Sequence, residues 1–514
     1  MLVAAVLAIA YLILEPASAD HAAQTFRSDL FASHGFLLWN NDWYGGHYLP
    51  GYSVLFPPLG AALGPRLAGA LAAVAAAGLF GALARHAYGD RARLATLWFG
   101  AGIGATLFTG RLTFVLGIAI GLGALLALQR RRPVLAGGLA VLTVCGSPVA
   151  GLFLGLAGVA VMLAGDRRGG ALVAFPAFAA LGALSLAFPT GGAEPFVFSA
   201  FVGVPLLAAG ALFLLPTSER ELRWGVAVYT IAATAAFVLA NPVGGNMARL
   251  GALAGGPVLA LALAGRRPLA RAAVALPLLY WQWVAPVRDV SEAAGDPSVH
   301  SSYYEPLLAE LERRTRGRPA RVEIPPTGNR WEAGYVAPRF PLARGWLRQL
   351  ESDDRDLFTD GNLTAAEYRR WLDREGVSYV AVADAQLDYL AADEEDLIRR
   401  GLPYLRAVWS DEHWRLYRVE GDAGLVDREG PRRTVQDGRI TALGPAGFTI
   451  VARDSGALLV RVRYSRYWTV TAGEACVERH GDWTEVQVIR PGTVSVAARF
   501  SLDGLLGRDR QCSA

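Results

Sequence analysis

Lysine is absent from this 514-residue chain, and all 49 basic residues are arginine. The phosphate-binding loop of ATP-driven pumps requires a lysine, so that class of protein is excluded. Cysteine is scarce as well, and three residues are too few for a disulfide-stapled scaffold. The seven histidines form no cluster with zinc-ligand spacing, and the Gly-x-Ser-x-Gly motif of serine hydrolases does not occur.

Charged residues are also few, at 18% of the chain against about 25% in soluble proteins. Residues 1–287 hold 17 arginines and 9 acidic residues, whereas residues 288–514 hold 32 arginines and 36 acidic residues. The net charge of +4 is therefore +8 in the first part and −4 in the second. Because the arginines lie among acids or between apolar runs, we expect no nucleic-acid partner.

Residues 1–287 have the pattern of a polytopic α-helical membrane domain in contact with the lipid bilayer. Apolar runs alternate with short charged or Gly/Pro breaks, and their Gly and Ala flanks extend them toward the ~20 residues of a membrane-spanning helix. We expect about eleven spans. The runs lie at 2–15, 67–84, 94–109, 112–128, 134–147, 149–164, 170–187, 195–215, 224–240, 250–264 and 268–285.

The placement of arginine predicts the orientation of these spans. One alternating set of loops holds thirteen arginines and the other holds four, and the positive-inside rule puts the richer set in the cytoplasm. The loop 16–58 and the chain after about residue 286 are then outside a cytoplasmic membrane. Ala17-Ser18-Ala19 resembles a signal-peptidase site, but no basic region precedes the first run, so we expect that helix to be retained. The thirteen arginines are Arg85, Arg91, Arg93, Arg130, Arg131, Arg132, Arg167, Arg168, Arg220, Arg223, Arg266, Arg267 and Arg271, and the four are Arg27, Arg66, Arg111 and Arg249.

Residues 288–514 are predicted to form two extracytoplasmic domains. In 288–420, helix and strand patterns alternate as in a small α/β domain, and Thr364 with Glu367 forms a capping box. In 421–514, short strands with turn signals are typical of a β-sandwich. The predicted elements are a helix from 364 to Gly376, a strand at 377–382, a helix at 394–400, strands at 404–409 and 414–419, and sandwich strands at 439–443, 447–452, 457–464, 468–471, 484–489 and 494–500. Cys476 and Cys512 both lie in the sandwich region, outside the cell, where we expect a disulfide between them.

The first outer loop, 16–58, has the highest density of candidate functional residues. Asp20, Gln24 and Arg27 have helical spacing that places them on one face, and Gly35 ends this helix. The densest aromatic cluster of the chain follows, and aromatic faces suit either sugar stacking or a membrane interface. We expect a sugar- or acceptor-binding set of Gln24, Trp39, Asp42, Trp43, Tyr44 and His47.

The loop resembles that of the bacterial GT-C superfamily of membrane glycosyltransferases, including large membrane proteins of the actinobacterial envelope. The resemblance rests on an acid directly after the first apolar run, an outer amphipathic helix and two short motifs. These motifs are Trp39-Asn40 with Trp43-Tyr44-Gly45-Gly46-His47, and Phe56-Pro57-Pro58-Leu59 where the chain re-enters the membrane.

The resemblance implies transfer of a sugar, with inversion, from a polyprenyl-phosphate donor to an envelope glycan or glycolipid. By position, the catalytic base of this superfamily falls on Asp20, which would deprotonate the acceptor hydroxyl. The departing lipid phosphate needs cationic stabilisation. Outward-facing candidates for binding the donor phosphate are the cations Arg27, Arg111 and Arg249, together with Asn246. The sequence requires no cofactor; a divalent cation is possible, and its ligands remain unknown.

Several alternatives stay open at this point. Asp20 has the position of a helix cap, Arg111 and Arg249 have positions suited to lipid phosphates at the membrane surface, and the aromatic cluster suits an interfacial belt. Asp42 and His47 suit a loop-packing network. Two other functions compete with the transferase: a non-catalytic envelope protein with a glycan-binding domain, and a flippase or transporter of lipid-linked sugar.

Overall fold

The computed structural model describes residues 1–263, 268–351, 354–422, 424–427, 438–507 and 512. It divides into two compact units. The first unit comprises Met1–Gly35 and Pro50–Ala294, and the second comprises Phe36–Leu49 and Gly295–Ala514. Arg266 and Arg267, predicted for a cytoplasmic loop, lie outside the described residues.

The first unit is built of helices, several of which begin at a proline or end at a glycine. Proline occupies the first turn of several of them, where its missing N–H costs nothing. The helices are α1 (Leu2–Leu14), α2 (Ala19–His34), α3 (Phe56–Leu63), α4 (Pro65–Tyr88), α5 (Arg93–Phe108), α6 (Leu112–Gln129), α7 (Pro133–Gly146), α8 (Pro148–Ala164), α9 (Arg167–Ala187), α10 (Phe198–Phe201), α11 (Gly203–Leu214), α12 (Arg220–Val238), α13 (Ala248–Ala262) and α14 (Pro268–Ala293).

Small residues pack the helices of the first unit closely. The buried core is rich in alanine, and at Gly117 an added Cβ would lie 2.6 Å from the Cβ of Ala150, so α6 and α8 approach nearly backbone to backbone. Close approach through Gly and Ala is typical of helices that pack by van der Waals contact.

The prediction of about eleven membrane spans is wrong. Among the described residues, three helical stretches are long and apolar enough to cross a membrane: Pro65–Phe108, Leu112–Gln129 and Arg167–Ala187. A fourth is possible if α1 and α2, which meet at 79°, count as one broken span. The apolar runs do form helices, but several are short. The 14 residues of α7 rise ~21 Å at ~1.5 Å per residue, less than the ~30 Å hydrocarbon core.

Within the described residues, the second unit contains the remaining helices and all the strands. The helices are α15 (Ser301–Thr315), α16 (Glu332–Tyr335), α17 (Arg355–Thr359), α18 (Ala365–Glu375), α19 (Ala392–Arg399) and α20 (Leu502–Leu505). The strands are β1 (Trp39–Asn40), β2 (His47–Tyr48), β3 (Arg321–Glu323), β4 (Val377–Ala383), β5 (Leu405–Ser410), β6 (Trp414–Val419), β7 (Val426–Asp427), β8 (Gly438–Gly444), β9 (Gly447–Ala452), β10 (Gly456–Arg463), β11 (Trp468–Ala472), β12 (Ala475–His480), β13 (Trp483–Val488) and β14 (Gly492–Ala498).

One four-stranded sheet forms the α/β part, in the order β3-β4-β6-β5. β3 runs parallel to β4, and the other pairs are antiparallel. The predicted capping box is confirmed, because Thr364 Oγ1 accepts from the backbone N–H of Glu367 and the Glu367 carboxylate accepts from the backbone N–H of Thr364. Gly376 ends α18 in the left-handed conformation, and the buried strand β4 follows directly.

Two antiparallel four-stranded sheets form the C-terminal part, in the orders β12-β13-β10-β7 and β11-β14-β9-β8. Inward-facing residues alternate along β9, where Phe448, Ile450 and Ala452 are buried. This arrangement is compatible with the predicted β-sandwich. The structure also joins Cys476 on β12 to Cys512 by a disulfide, with Cα atoms 5.8 Å apart.

The domain boundaries differ from the predicted 1–287, 288–420 and 421–514 in two respects. The first unit extends to Ala294, and the α/β and β-sheet parts belong to one compact unit. In addition, Phe36–Leu49, in the middle of loop 16–58, belongs to the second unit. We call Phe36–Leu49 the inserted segment.

Candidate functional site

The predicted site residues fall into two groups, one in each unit. Asp20, Gln24, Arg27, Arg111, Asn246 and Arg249 lie in the first unit. Trp39, Asp42, Trp43, Tyr44 and His47 lie in the inserted segment, and therefore in the second unit. The candidate catalytic residues and most of the residues predicted to bind the acceptor sugar therefore belong to different units.

The turn between α5 and α6 packs tightly against the start of α2. Gly110 has φ +74°, and an added Cβ would lie 2.5 Å from the backbone N of His21 and 2.7 Å from Ser18 Oγ. Only glycine fits this conformation and this space. The close approach brings Arg111, the next residue, to the first turn of α2, which carries Asp20.

Asp20 and Arg111 form an ion pair in which Arg111 Nε donates to Asp20 Oδ2 at 3.2 Å. The two side chains remain 23% and 28% exposed, so the pair is open to a ligand. The ion pair uses one carboxylate oxygen, and Oδ1 is outside it. The residue types and the geometry suit a general base held beside a cation.

Two further arginines complete the cluster. Arg249, in the first turn of α13, interacts electrostatically with both Asp20 and Arg111, and its guanidinium lies 5.8 Å from the ring centre of Phe114. Arg27 lies seven residues after Asp20 on the same face of α2. Its side chain is 3% exposed and also interacts electrostatically with Asp20. We call Asp20, Arg27, Arg111 and Arg249 the charged cluster.

Asn246 lies in a 3-10 turn, Gly244–Met247, that leads directly into α13. It is half-buried and precedes Arg249 by three residues. This turn packs against the loop before α10, because an added Cβ on Gly244 would lie 1.9 Å from the carbonyl oxygen of Glu194. The backbone N–H groups of Val243, Gly244, Gly245 and Asn246 all donate to protein acceptors, so Arg249 supplies the positive charge at this end of α13.

Three residues near the charged cluster were missed by the sequence analysis. Glu194 interacts electrostatically with Arg249, and Asp289 on α14 interacts with both Arg111 and Asp20. Tyr52 contacts Gln24 and Arg27. Both acids lie close to the ends of apolar runs, at 195–215 and 268–285. An ionisable residue at such a position is a sign of a functional site, and this sign could have identified them from the sequence.

The aromatic residues of the inserted segment are packed inside the second unit. Trp43 is fully buried, and its Nε1 donates to the carbonyl oxygen of Ala333 at 3.0 Å. The hydroxyl of Tyr44 lies 2.8 Å from the carbonyl oxygen of Gly345 and 3.0 Å from Glu351 Oε1. These contacts place Trp43 and Tyr44 in the core of the second unit, a role that differs from both the sugar-binding set and the interfacial belt considered from the sequence.

The turn of the inserted segment depends on glycine. Tyr44, Gly45 and Gly46 all have positive φ between β1 and β2, and an added Cβ on Gly46 would lie 2.3 Å from the buried ring of Trp39. Trp39 Nε1 donates to Asn41 Oδ1 at 2.7 Å, and Asn41 Nδ2 donates to the carbonyl oxygen of Gly444 at 2.8 Å. The segment is therefore tied to the C-terminal sheets as well.

Asp42 and His47 are buried in the same segment. Burial raises the pKa of the Asp42 carboxyl to about 7, and the His47 ring stacks on Trp43 with centres 5.4 Å apart. Nearby, burial also raises the pKa of the Glu332 carboxyl to about 7, although Thr327 Oγ1 donates to it at 2.6 Å. A buried carboxyl of this kind exchanges its proton near neutral pH.

Candidate metal ligands do not meet at either group. Across the part of the chain that the structure describes, one set of three possible ligands is close enough for a metal site, namely Cys476, Glu478 and Cys512. Both sulfur atoms of that set are joined in the disulfide.

Neither a protein-family model nor a curated protein matches the chain.

Proposed function

We propose that the chain is an inverting glycosyltransferase that moves a sugar from a polyprenyl-phosphate donor to an envelope glycan or glycolipid. The observation that carries the proposal is the ion pair of Asp20 with Arg111, at 3.2 Å and open to solvent, with Arg249 and Arg27 within electrostatic range. A carboxylate paired with one arginine and close to two more matches the needs of this reaction, which are a base for a hydroxyl and positive charge for a departing phosphate.

In the proposed reaction, the acceptor hydroxyl donates to Asp20 Oδ1, which lies outside the ion pair. The hydroxyl oxygen attacks the anomeric carbon while the bond from that carbon to the phosphate oxygen breaks. The proton moves to Asp20, and polyprenyl phosphate leaves with the electron pair. Arg111, Arg249 and Arg27 stabilise the negative charge that grows on the phosphate, and Asn246, three residues before Arg249, contacts the same phosphate.

We further propose that the charged cluster faces the outside of a cytoplasmic membrane. The three apolar helical stretches support a membrane location. At the candidate span Leu112–Gln129, three arginines, Arg130 to Arg132, follow one end and Arg111 alone precedes the other, which supports this orientation. The second unit, with its disulfide, would then lie outside as well, where thiols oxidise.

The test is sugar transfer by the full chain, reconstituted in lipid with a polyprenyl-phosphate sugar. Asp20→Asn keeps the side-chain shape and removes the base, so we expect transfer to fall about 10²- to 10⁴-fold while donor binding persists. Asp29→Asn is the matched control, because Asp29 is an exposed acid on the same helix. Unchanged transfer by Asp20→Asn would overturn the assignment of the base. Absence of transfer by the unmodified chain would overturn the transferase and favour a flippase or a binding protein.

A further inference from the structure

Tyr52, in the first unit, lies between two sets of contacts, one to α7 and one to α2. After it, residues 53–55 are tied to the end of α7. Ser53 Oγ donates to the carbonyl oxygen of Gly146 at 2.8 Å, and the next two backbone N–H groups donate to the carbonyl oxygen of Cys145 at 2.8 and 3.1 Å. The backbone that carries Tyr52 is therefore fixed independently of α2.

On its other side, Tyr52 contacts α2 at two points. Gln24, which is fully buried, donates from Nε2 to the Tyr52 hydroxyl oxygen at 3.0 Å. The Arg27 guanidinium carbon lies 3.9 Å from the centre of the Tyr52 ring, directly over its face. Gln24 and Arg27 are three residues apart and hence neighbours on one helix face. Both the hydroxyl and the ring of Tyr52 are thus engaged by this face.

A guanidinium over an aromatic face is held by attraction to the ring, and the attraction strengthens when water is excluded. Arg27 is 3% exposed, so this condition is met. The planar guanidinium is also the side chain that suits phosphate oxygens best. The contact with Tyr52 therefore fixes where the Arg27 cation lies beside α2.

We propose that Tyr52 is a positioning residue that holds Arg27 in the charged cluster, where the phosphate of the lipid-linked donor would bind. The inference rests on the proposed function and adds a residue that acts through Arg27 rather than on the reacting atoms. Its hydrogen bond with Gln24 holds the ring in register, and the stacked ring holds the guanidinium.

The test is binding of undecaprenyl phosphate to the full chain in detergent, measured by titration calorimetry. Tyr52→Leu removes the aromatic face, and we expect the dissociation constant to rise about tenfold. Tyr52→Phe keeps the face and removes the hydroxyl, so we expect binding within about threefold of the unmodified chain. Tyr11→Leu is the control for loss of a buried tyrosine, since Tyr11 is fully buried on α1.

The outcomes separate this inference from the function on which it rests. Weak binding by Tyr52→Leu, with recovery in Tyr52→Phe and normal binding by Tyr11→Leu, supports the positioning role. Normal binding by Tyr52→Leu, when the unmodified chain binds, overturns the positioning role and leaves the proposed function standing. Absence of binding by the unmodified chain overturns both. A fall in thermal stability shared by Tyr52→Leu and Tyr11→Leu, with lipid binding unchanged, assigns Tyr52 to packing alone.

Discussion

At the scale of single residues, Asp42 links burial to pH. Burial raises the pKa of its carboxyl from about 3.8 to about 7, so the folded chain keeps a proton that the unfolded chain loses. Titration of Asp42 therefore leaves the free energy of unfolding highest below about pH 4 and lowers it as the pH rises to about 7. The decline amounts to roughly 4 kcal/mol.

We therefore predict that Asp42→Asn stabilises the second unit at pH 8 relative to the unmodified chain, and that this advantage shrinks toward pH 4.5. Thermal unfolding of both proteins at the two pH values measures the difference. An Asp42→Asn effect that is the same at both pH values would show that Asp42 titrates as an exposed carboxyl.

Trp43 shows how a residue that suits sugar binding is used in packing. It is fully buried, and an added Cβ on Gly345 would lie 2.5 Å from its ring, so the surrounding space is full. We predict that Trp43→Ala lowers the free energy of unfolding of the second unit by about 3–5 kcal/mol. Protease resistance in increasing urea measures this loss, and Tyr389→Ala is the control because Tyr389 is 59% exposed. Loss of glycan binding at unchanged stability would instead restore Trp43 to a binding role.

At the scale of elements, local chemistry predicted the helices and strands well. The helix predicted to end at Gly35 does so, and the strand 447–452 has the predicted bounds. Caps and glycines act within a few residues of themselves, so the sequence alone reveals them. The strand β12 was missed because its residues, Ala475–His480, lack a strong apolar alternation. In the structure they are half-buried or exposed.

The capping box of α18 offers a quantitative test at this scale. Thr364→Ala removes the side chain that accepts from the backbone N–H of Glu367, and we predict a loss of about 1 kcal/mol in the free energy of unfolding. Equilibrium denaturation measures it, with Thr441→Ala, an exposed strand residue, as the comparison. An equal effect of the two substitutions would contradict the role of the cap.

Contacts between distant parts of the chain explain what the sequence did not predict about the site. Helical spacing predicted that Asp20, Gln24 and Arg27 share a face, and all three are drawn into contacts near the charged cluster. The pairing of Asp20 with Arg111 joins residues 91 positions apart through the close approach at Gly110, and no local pattern encodes that approach. The same limit applies to Tyr52.

At the scale of the whole molecule, the chain does not divide into consecutive domains. It leaves the first unit after Gly35, contributes the inserted segment to the second unit and returns at Pro50. Hydropathy averages show whether a stretch of sequence is apolar or polar. They do not show that a segment within a loop packs in another unit. They also count apolar runs without measuring helix length, which is why the number of membrane spans was overestimated.

The disulfide belongs to this scale because it closes the end of the second unit. Cys476 and Cys512 are 36 residues apart, and the constraint that their bond places on the unfolded chain is worth about 2–4 kcal/mol. We predict that Cys476→Ser with Cys512→Ser lowers the thermal midpoint of the second unit and abolishes the effect of reducing agent on it. A thermal midpoint that still responds to reductant in the double variant would show that this disulfide does not cause the response. The remaining cysteine, Cys145, is a free thiol in the first unit.

The stereochemistry of transfer tests the central claim most directly. A single displacement, with Asp20 as base and the lipid phosphate departing from the opposite face of the sugar, must invert the anomeric centre. We therefore predict that the full chain converts an α-linked polyprenyl-phosphate sugar into a β-glycoside, detected by NMR of the product. An α-glycoside, or a lipid-linked sugar that crosses the bilayer with no glycosidic bond formed, would contradict the account.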